Sequence, residues 1–143
     1  MIRPIIENDY GEWQQLWDAY LDFYRRELTE ATTLATFARL CQRADGLFGF
    51  VAEAGTSLVG FAHALVHPST WSEAGYCYLE DLFVAPPARG TGVARELLEA
   101  VIAEGHHRQV GRIYWHTQEF NAPARSLYDQ VAHRSSFVVY LCP

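Results

Sequence analysis

The sequence predicts one α+β domain, layered α/β/α, with a mixed, mostly antiparallel twisted sheet flanked by about four helices. Three observations carry this. An aromatic stripe near the start repeats at helical spacing. The middle of the chain reads as consecutive strands. A glycine-rich loop then joins a strand to an amphipathic helix. A length of 143 residues fits a single domain spanning 1–143, enough to bury about two-thirds of the unfolded surface without a metal or disulfide staple.

Residues 2–6 (IRPII) predict a short edge strand, because Pro4 lacks the N–H that an inner ladder requires. Asn8 or Asp9 is placed to cap the helix that follows. Trp13, Leu16, Trp17, Tyr20, Leu21 and Tyr24 share one helical face, with Glu12, Asp18 and Asp22 opposite. A shorter helix fits Thr33 to Cys41, with Leu34, Phe37 and Leu40–Cys41 inward. Leu47–Ala54 and Leu58–Val66 form a hairpin about Gly55-Thr56-Ser57. His67–Gly75, holding Pro68 and Trp71, reads as a polar loop. Tyr76–Val84 is a third strand, Ala85–Gly92 a Pro/Gly loop, and Val93–Glu104 a helix with Leu97, Leu98, Val101 and Ile102 inward. Arg112–Thr117 predicts a strand, Pro123–Val131 a helix and Ser136–Leu141 a final strand. The strand–loop–helix–strand unit makes part of the sheet parallel.

Composition removes several functions. Seventeen acidic residues against eleven basic ones leave a formal charge of −6. That suits a cationic partner and not nucleic acid, whose phosphates need clustered cations. Every basic residue is Arg and none is Lys; with many Ala, this predicts GC-rich codons and a bacterial source. No stretch is apolar for the ~18 residues that a membrane span needs. The opening MIRPIIENDYGEW lacks the cationic start and apolar run of an export signal. Cys41, Cys77 and Cys142 are odd in number, widely spaced and without CxxC, so the expectation is a reducing cytoplasm without a disulfide framework. The six His show no H-x-x-x-H or HExxH spacing, so no metal is expected.

Two segments carry chemistry. In Arg89-Gly90-Thr91-Gly92-Val93-Ala94, the glycines let backbone N–H groups approach a ligand, and the following helix offers the positive end of its dipole. The arrangement suits an anion but lacks the GK[ST] of a nucleotide loop, and the alternative reading is a helix entry that only needs flexible turns. In the preceding strand, Glu80 and Asp81 are adjacent, and simple alternation sends them to opposite faces. Two acids in an apolar strand need partners or water. A carboxylate here could take a proton from an amine or hold its cation.

Arg89-x-x-Gly92-x-Ala94 resembles the [QR]-x-x-G-x-[GA] signature of the GCN5-related N-acetyltransferase (GNAT) superfamily. The wider block YLEDLFVAPPARGTGVARELL resembles its spermidine/spermine and histone/polyamine branch. The resemblance implies a GNAT-type fold and acetyl-CoA as cosubstrate. It places the pyrophosphate on Arg89, Gly90, Thr91, Gly92, Val93 and Ala94, and the pantetheine arm on the backbone of Leu82, Phe83 and Val84. It implies Glu80 as the base, direct or through water, and Asp81 and Trp71 as contacts to a polyamine. The pattern Asn121-x-x-Ala124-x-x-Leu127-Tyr128 is similar to the family's second motif, which implies Asn121 as a cofactor contact and Tyr128 as the acid that protonates the leaving thiolate. Without the family, Asn121 reads as an N-cap, Tyr128 as a core residue and Trp71 as a loop pin. His116 is a second candidate for proton transfer, and Cys77 reads as packing. The tail departs from the family, with Ser136 where Gly is expected, so a partner subunit is expected to complete the sheet edge in a homodimer. The function expected is direct acetylation of a polyamine or other small cationic amine. The alternatives are a basic peptide tail as acceptor and a non-catalytic acyl-CoA sensor, against which Glu80 and Tyr128 speak.

Overall fold

The computed structural model describes residues 1–143. Five strands lie in the order β1 (Ile2–Pro4), β2 (Leu47–Ala54), β3 (Ser57–Ser69), β4 (Ser72–Val84) and β5 (Ile113–Trp115). The first three pairings are antiparallel and β4–β5 is parallel. Helices α1 (Tyr10–Phe23), α2 (Glu30–Gln42), α3 (Val93–His107) and α4 (Ala122–Val131) flank the sheet.

The two faces bury different cores. Trp13, Leu16 and Trp17 of α1 meet Phe37 and Leu40 of α2 over Val51, Phe61 and Phe83. Leu97, Leu98 and Val101 of α3 pack on Ala62, Ala64, Cys77 and Leu79 from the other side. Burial pushes the Cys77 thiol up to about 11, as befits a packing residue and not a nucleophile.

Several boundaries differ from expectation. The predicted 67–75 loop is instead hairpin: β3 and β4 run on to a Ser69–Ser72 pair, leaving Thr70 and Trp71 as the turn. The cross-strand pair His67–Tyr76 holds this extension together. Helix α2 starts at Glu30 because Thr29 caps it, its side chain accepting from Thr32 N–H at 3.1 Å. On that helix Leu34, expected inward, is exposed. Asp9 stands at the N-cap of α1 without capping it through its side chain. Its carboxylate takes two bonds from Arg3, at 2.7 and 2.8 Å, and that guanidinium holds its pKa below the usual carboxylate range. The predicted strand 136–141 does not form: no regular element follows Val131. Phe137 to Leu141 stay exposed and pair with no strand of the sheet.

Candidate active site

At one place strand β4 loses β5 and slips its register against β3. On the β5 side the ladder stops at Leu79–Trp115. On the β3 side His63 pairs with Asp81 and Ala64 with Leu79, so Glu80 is the unmatched residue of a β-bulge. The bulge changes the facing of the acids. Cys77 and Leu79 point to α3, yet Asp81 points to α1. Alternation through Tyr76 and Tyr78 places Glu80 on the α1 side as well. The two acids therefore share a face, against the opposite facing expected from an unbroken strand. Desolvation first, and the charge of Asp81 second, hold the Glu80 pKa above its ordinary value.

Asp81 is tied into the fold through both oxygens. One oxygen accepts from the Tyr20 hydroxyl at 2.8 Å and the other from His63 Nδ1 at 2.9 Å. The far nitrogen of His63 accepts from the Trp13 indole N–H at 3.0 Å. An indole N–H only donates, so the imidazole carries its proton on Nδ1 and gives it to Asp81. His63 is buried and stacks on Phe61 at 4.4 Å. Burial, followed by the Asp81 charge, pushes the Tyr20 phenol far up. The chain Trp13–His63–Asp81–Tyr20 thus ties the bulge to α1. Spacing along the sequence did not reveal it, and no local signal marks it.

Beyond the bulge, β4 presents backbone to the opening. Ala85 N–H reaches Val59 on β3 at 2.8 Å. Alternation from that bond points the backbone N–H groups of Leu82 and Val84 to the side opposite β3, while Phe83 buries its ring in the α1 layer beside Tyr20 and Phe61. The Val84 carbonyl accepts from Arg89 Nε at 3.0 Å. Arg89 therefore braces the loop's own turn, with its guanidinium carbon 5.7 Å from the Phe83 ring centroid. The Thr91 hydroxyl closes on Ala88 O.

The loop ends in an open, glycine-lined turn. Gly90 and Gly92 have φ of +78° and +89°, and a Cβ at either would meet nothing within 4 Å. Gly92 is the N-cap of α3 and offers no side chain to the first-turn N–H groups. Those donors, on Val93 and Ala94 among others, are left for an anion.

The second half of the site comes from β5 and α4. Asn121 Oδ1 accepts from Ala124 N–H at 3.4 Å, so it caps α4. Tyr128 meets the Trp115 ring edge-on at 5.4 Å, where β5 leaves β4. Arg95 of α3 donates to Gln130 of α4 at 3.0 Å, fixing that helix beside the loop. Burial, with Tyr24 adding to it, raises the Tyr128 pKa, so its hydroxyl stays protonated and able to donate.

Trp71 is not brought here. It caps the far end of the β3–β4 hairpin, 86% exposed, roughly 30 Å along β4 from Glu80 at strand rise. His116 hydrogen-bonds the Tyr78 hydroxyl through Nδ1 at 3.3 Å. No group of three or more metal-binding side chains comes together, and no helix is long and apolar enough to cross a membrane.

Comparison with known proteins identifies the family and the fold. The model of the acetyltransferase (GNAT) family matches residues 13–132. The D-amino-acid N-acetyltransferase HPA3 of Saccharomyces cerevisiae is 32% identical over 143 residues, covering 98% of this chain and 88% of that protein. The thialysine N-epsilon-acetyltransferase of Caenorhabditis elegans is 32% identical over 88 residues, 60% of this chain and 51% of that protein. Among solved structures, AAC(6')-Iy in complex with the bisubstrate analogue CoA-S-monomethyl-acetylneamine superposes with a TM-score of 0.85, covering 100% of this chain and 97% of the other. At 22% identity, that likeness speaks for the fold.

Proposed function

This chain belongs to the acetyltransferase (GNAT) family and is an acetyl-CoA-dependent N-acetyltransferase, and we propose that it acetylates a small cationic primary amine by direct attack in a ternary complex. One observation carries the reading. Exposed Glu80 and the stretch Leu82–Val84, which runs on past the last β4–β5 pair, border the same opening of the sheet, which continues into the glycine loop before α3. The residues present fit the cosubstrate: the open glycines and uncapped helix start suit a pyrophosphate.

Acetyl-CoA supplies an acetyl group already activated as a thioester. Glu80 takes the ammonium proton, directly or through water, and its raised pKa makes it a better base than an ordinary carboxylate. The Leu82 and Val84 N–H groups face the carbonyl oxygen, where charge develops during attack. Tyr128 gives its hydroxyl proton to the departing sulfur. Asn121 and the loop from Arg89 to Ala94 hold the cosubstrate through backbone groups.

A polyamine remains the acceptor that the acidic surface favours, although Asp81 and Trp71 do not support it. The relatives named for D-amino acids, thialysine and L-ornithine widen the panel. The experiment is thiol release from acetyl-CoA with spermidine, 1,4-diaminobutane, ornithine, thialysine, D-amino acids and a basic peptide. Turnover with a small amine upholds the reading. CoA binding without turnover on any acceptor would make the protein a sensor.

We also infer a homodimer. Phe137 to Leu141 are 60–90% exposed, and Phe137, Val138, Val139 and Tyr140 are strand formers. β5 is an open edge beside an apolar groove lined by Ile102, Val110, Ile113, Trp115 and Val131. The tail of a second copy fits that edge. Sedimentation should give a dimer, and Val139→Glu a monomer; a monomeric parent protein would remove the inference. The three free cysteines suit a cytoplasmic location.

A further inference from the structure

On the α1 side of the sheet, the rings of β4 and β5 form a strip that neither α1 nor α2 covers, since α1 packs on β3 and α2 on β2. Tyr78 and Tyr114 lie side by side in the parallel ladder, ring centroids 5.0 Å apart. His116 closes a triangle with them, at 5.2 Å from Tyr78 and 6.0 Å from Tyr114. Continuing the register sets His116 level with Glu80, at the place where the strands part. The mechanism uses none of these three rings.

Their polar atoms are spoken for, so the faces are what they offer. The Tyr114 hydroxyl meets His67 Nε2 at 2.7 Å, while His67 Nδ1 donates to Pro68 O at 2.8 Å. A carbonyl only accepts, so His67 Nδ1 carries a proton, and the Tyr114 hydroxyl is occupied by the other ring nitrogen. The Tyr78 hydroxyl is joined to His116. The strip already holds one cation on a ring: Arg112 lies 4.9 Å over Tyr76, two residues below Tyr78. Tyr78 itself lies close enough to Glu80 and Asp81 for both charges to raise its pKa, after desolvation. Electron-rich faces bordered by carboxylates select an organic cation.

We propose that Tyr78, Tyr114 and His116 form a subsite for the second cation of the acceptor, while its reacting nitrogen faces Glu80. The inference rests on the acetyltransferase reading and names its acceptor class: a primary amine carrying a second cationic group roughly 7 Å away, the spacing of two strand residues. It also returns a polycation preference to residues other than Asp81 and Trp71.

The probes are 1,4-diaminobutane, agmatine and n-butylamine, which lacks the second charge. With the native enzyme, KM should be lower for the two dications. His116→Leu, at an exposed position, and Tyr78→Leu should each raise the dication KM between about twofold and thirtyfold. KM for butylamine and for acetyl-CoA should stay level. Tyr78→Phe keeps the ring face and should restore dication KM. Equal KM for mono- and dications, or an equal rise for both in the variants, overturns the subsite. Binding of the same probes to the CoA-loaded protein, followed by tyrosine fluorescence, reads the subsite without turnover. Selective dication binding lost in His116→Leu would keep the subsite even if no acceptor were acetylated. Absence of selectivity in both assays would dismiss it while leaving acetyl transfer intact.

Discussion

Two polar regions of β4 are built on opposite plans. At Asp81 every polar atom has a partner: Tyr20, His63 and, through it, Trp13. From Gly90 to Ala94 the plan is open, with a loop whose glycines face open space and a helix whose start has no side-chain cap. Both regions are charged or dipolar and both flank Glu80. The first is closed because buried polar groups without partners are costly. The second can stay open because it lies at the surface, where water serves until a ligand arrives. The difference separates architecture from candidate site: a satisfied cluster holds the bulge in shape, and an open helix start has the chemistry that suits an anion.

The comparison breaks first at the chemistry between the two regions. Tyr128→Phe removes a hydroxyl that matters only as charge grows on sulfur. Turnover should fall by about 10²–10⁴ with KM almost unchanged. Glu80→Gln should fall in the same range. Steady-state kinetics checks both. A change below threefold for Tyr128→Phe, in a protein that melts normally, would return that residue to the core beside Trp115.

The open region is tested next. At Gly92, φ is +89° and a side chain would project freely, so the cost of Gly92→Val is backbone strain and not a clash. A β-branched residue there costs of order 1–3 kcal/mol, which the loop can escape only by turning its N–H groups from the ligand. CoA affinity by calorimetry should weaken roughly tenfold to a hundredfold. Unchanged affinity would take the cradle out of the site.

How much of this was readable follows the same division. The strand–loop–helix from Tyr76 onward is local: Gly90, Gly92 and the apolar spacing of Leu97, Leu98 and Val101 speak within twenty residues. So does Asn121 before Ala122 and Pro123, which caps α4 as its type predicts. The closed region is long-range. Asp81 finds one partner 18 residues back and another 61 back. The bulge at Glu80 follows from the pairing with β3, while the string YLEDLFV reads as an unbroken strand. The tail shows the converse. FVVYL has strand propensity, but propensity cannot provide the edge that a strand requires.

The smallest effect belongs to the closed region, and its sign is what matters. Asp81→Asn keeps the shape: the amide oxygen can still accept from His63, and its NH₂ can donate to Tyr20, whose hydroxyl accepts as readily as it donates. What disappears is a negative charge beside Glu80. That charge is one reason the Glu80 pKa is raised, so its removal lowers the pKa. Glu80 works as a carboxylate, so the acid limb of kcat/KM should move to lower pH in the variant. At neutral pH the weaker base should turn over more slowly, by a factor of a few and well short of the loss in Glu80→Gln. KM for the amine should hold, because the Asp81 oxygens are bonded to Tyr20 and His63 and not presented to substrate. A large rise in amine KM with an unmoved acid limb would mean that Asp81 leaves its partners to bind the acceptor, and the closed region would then belong to the site.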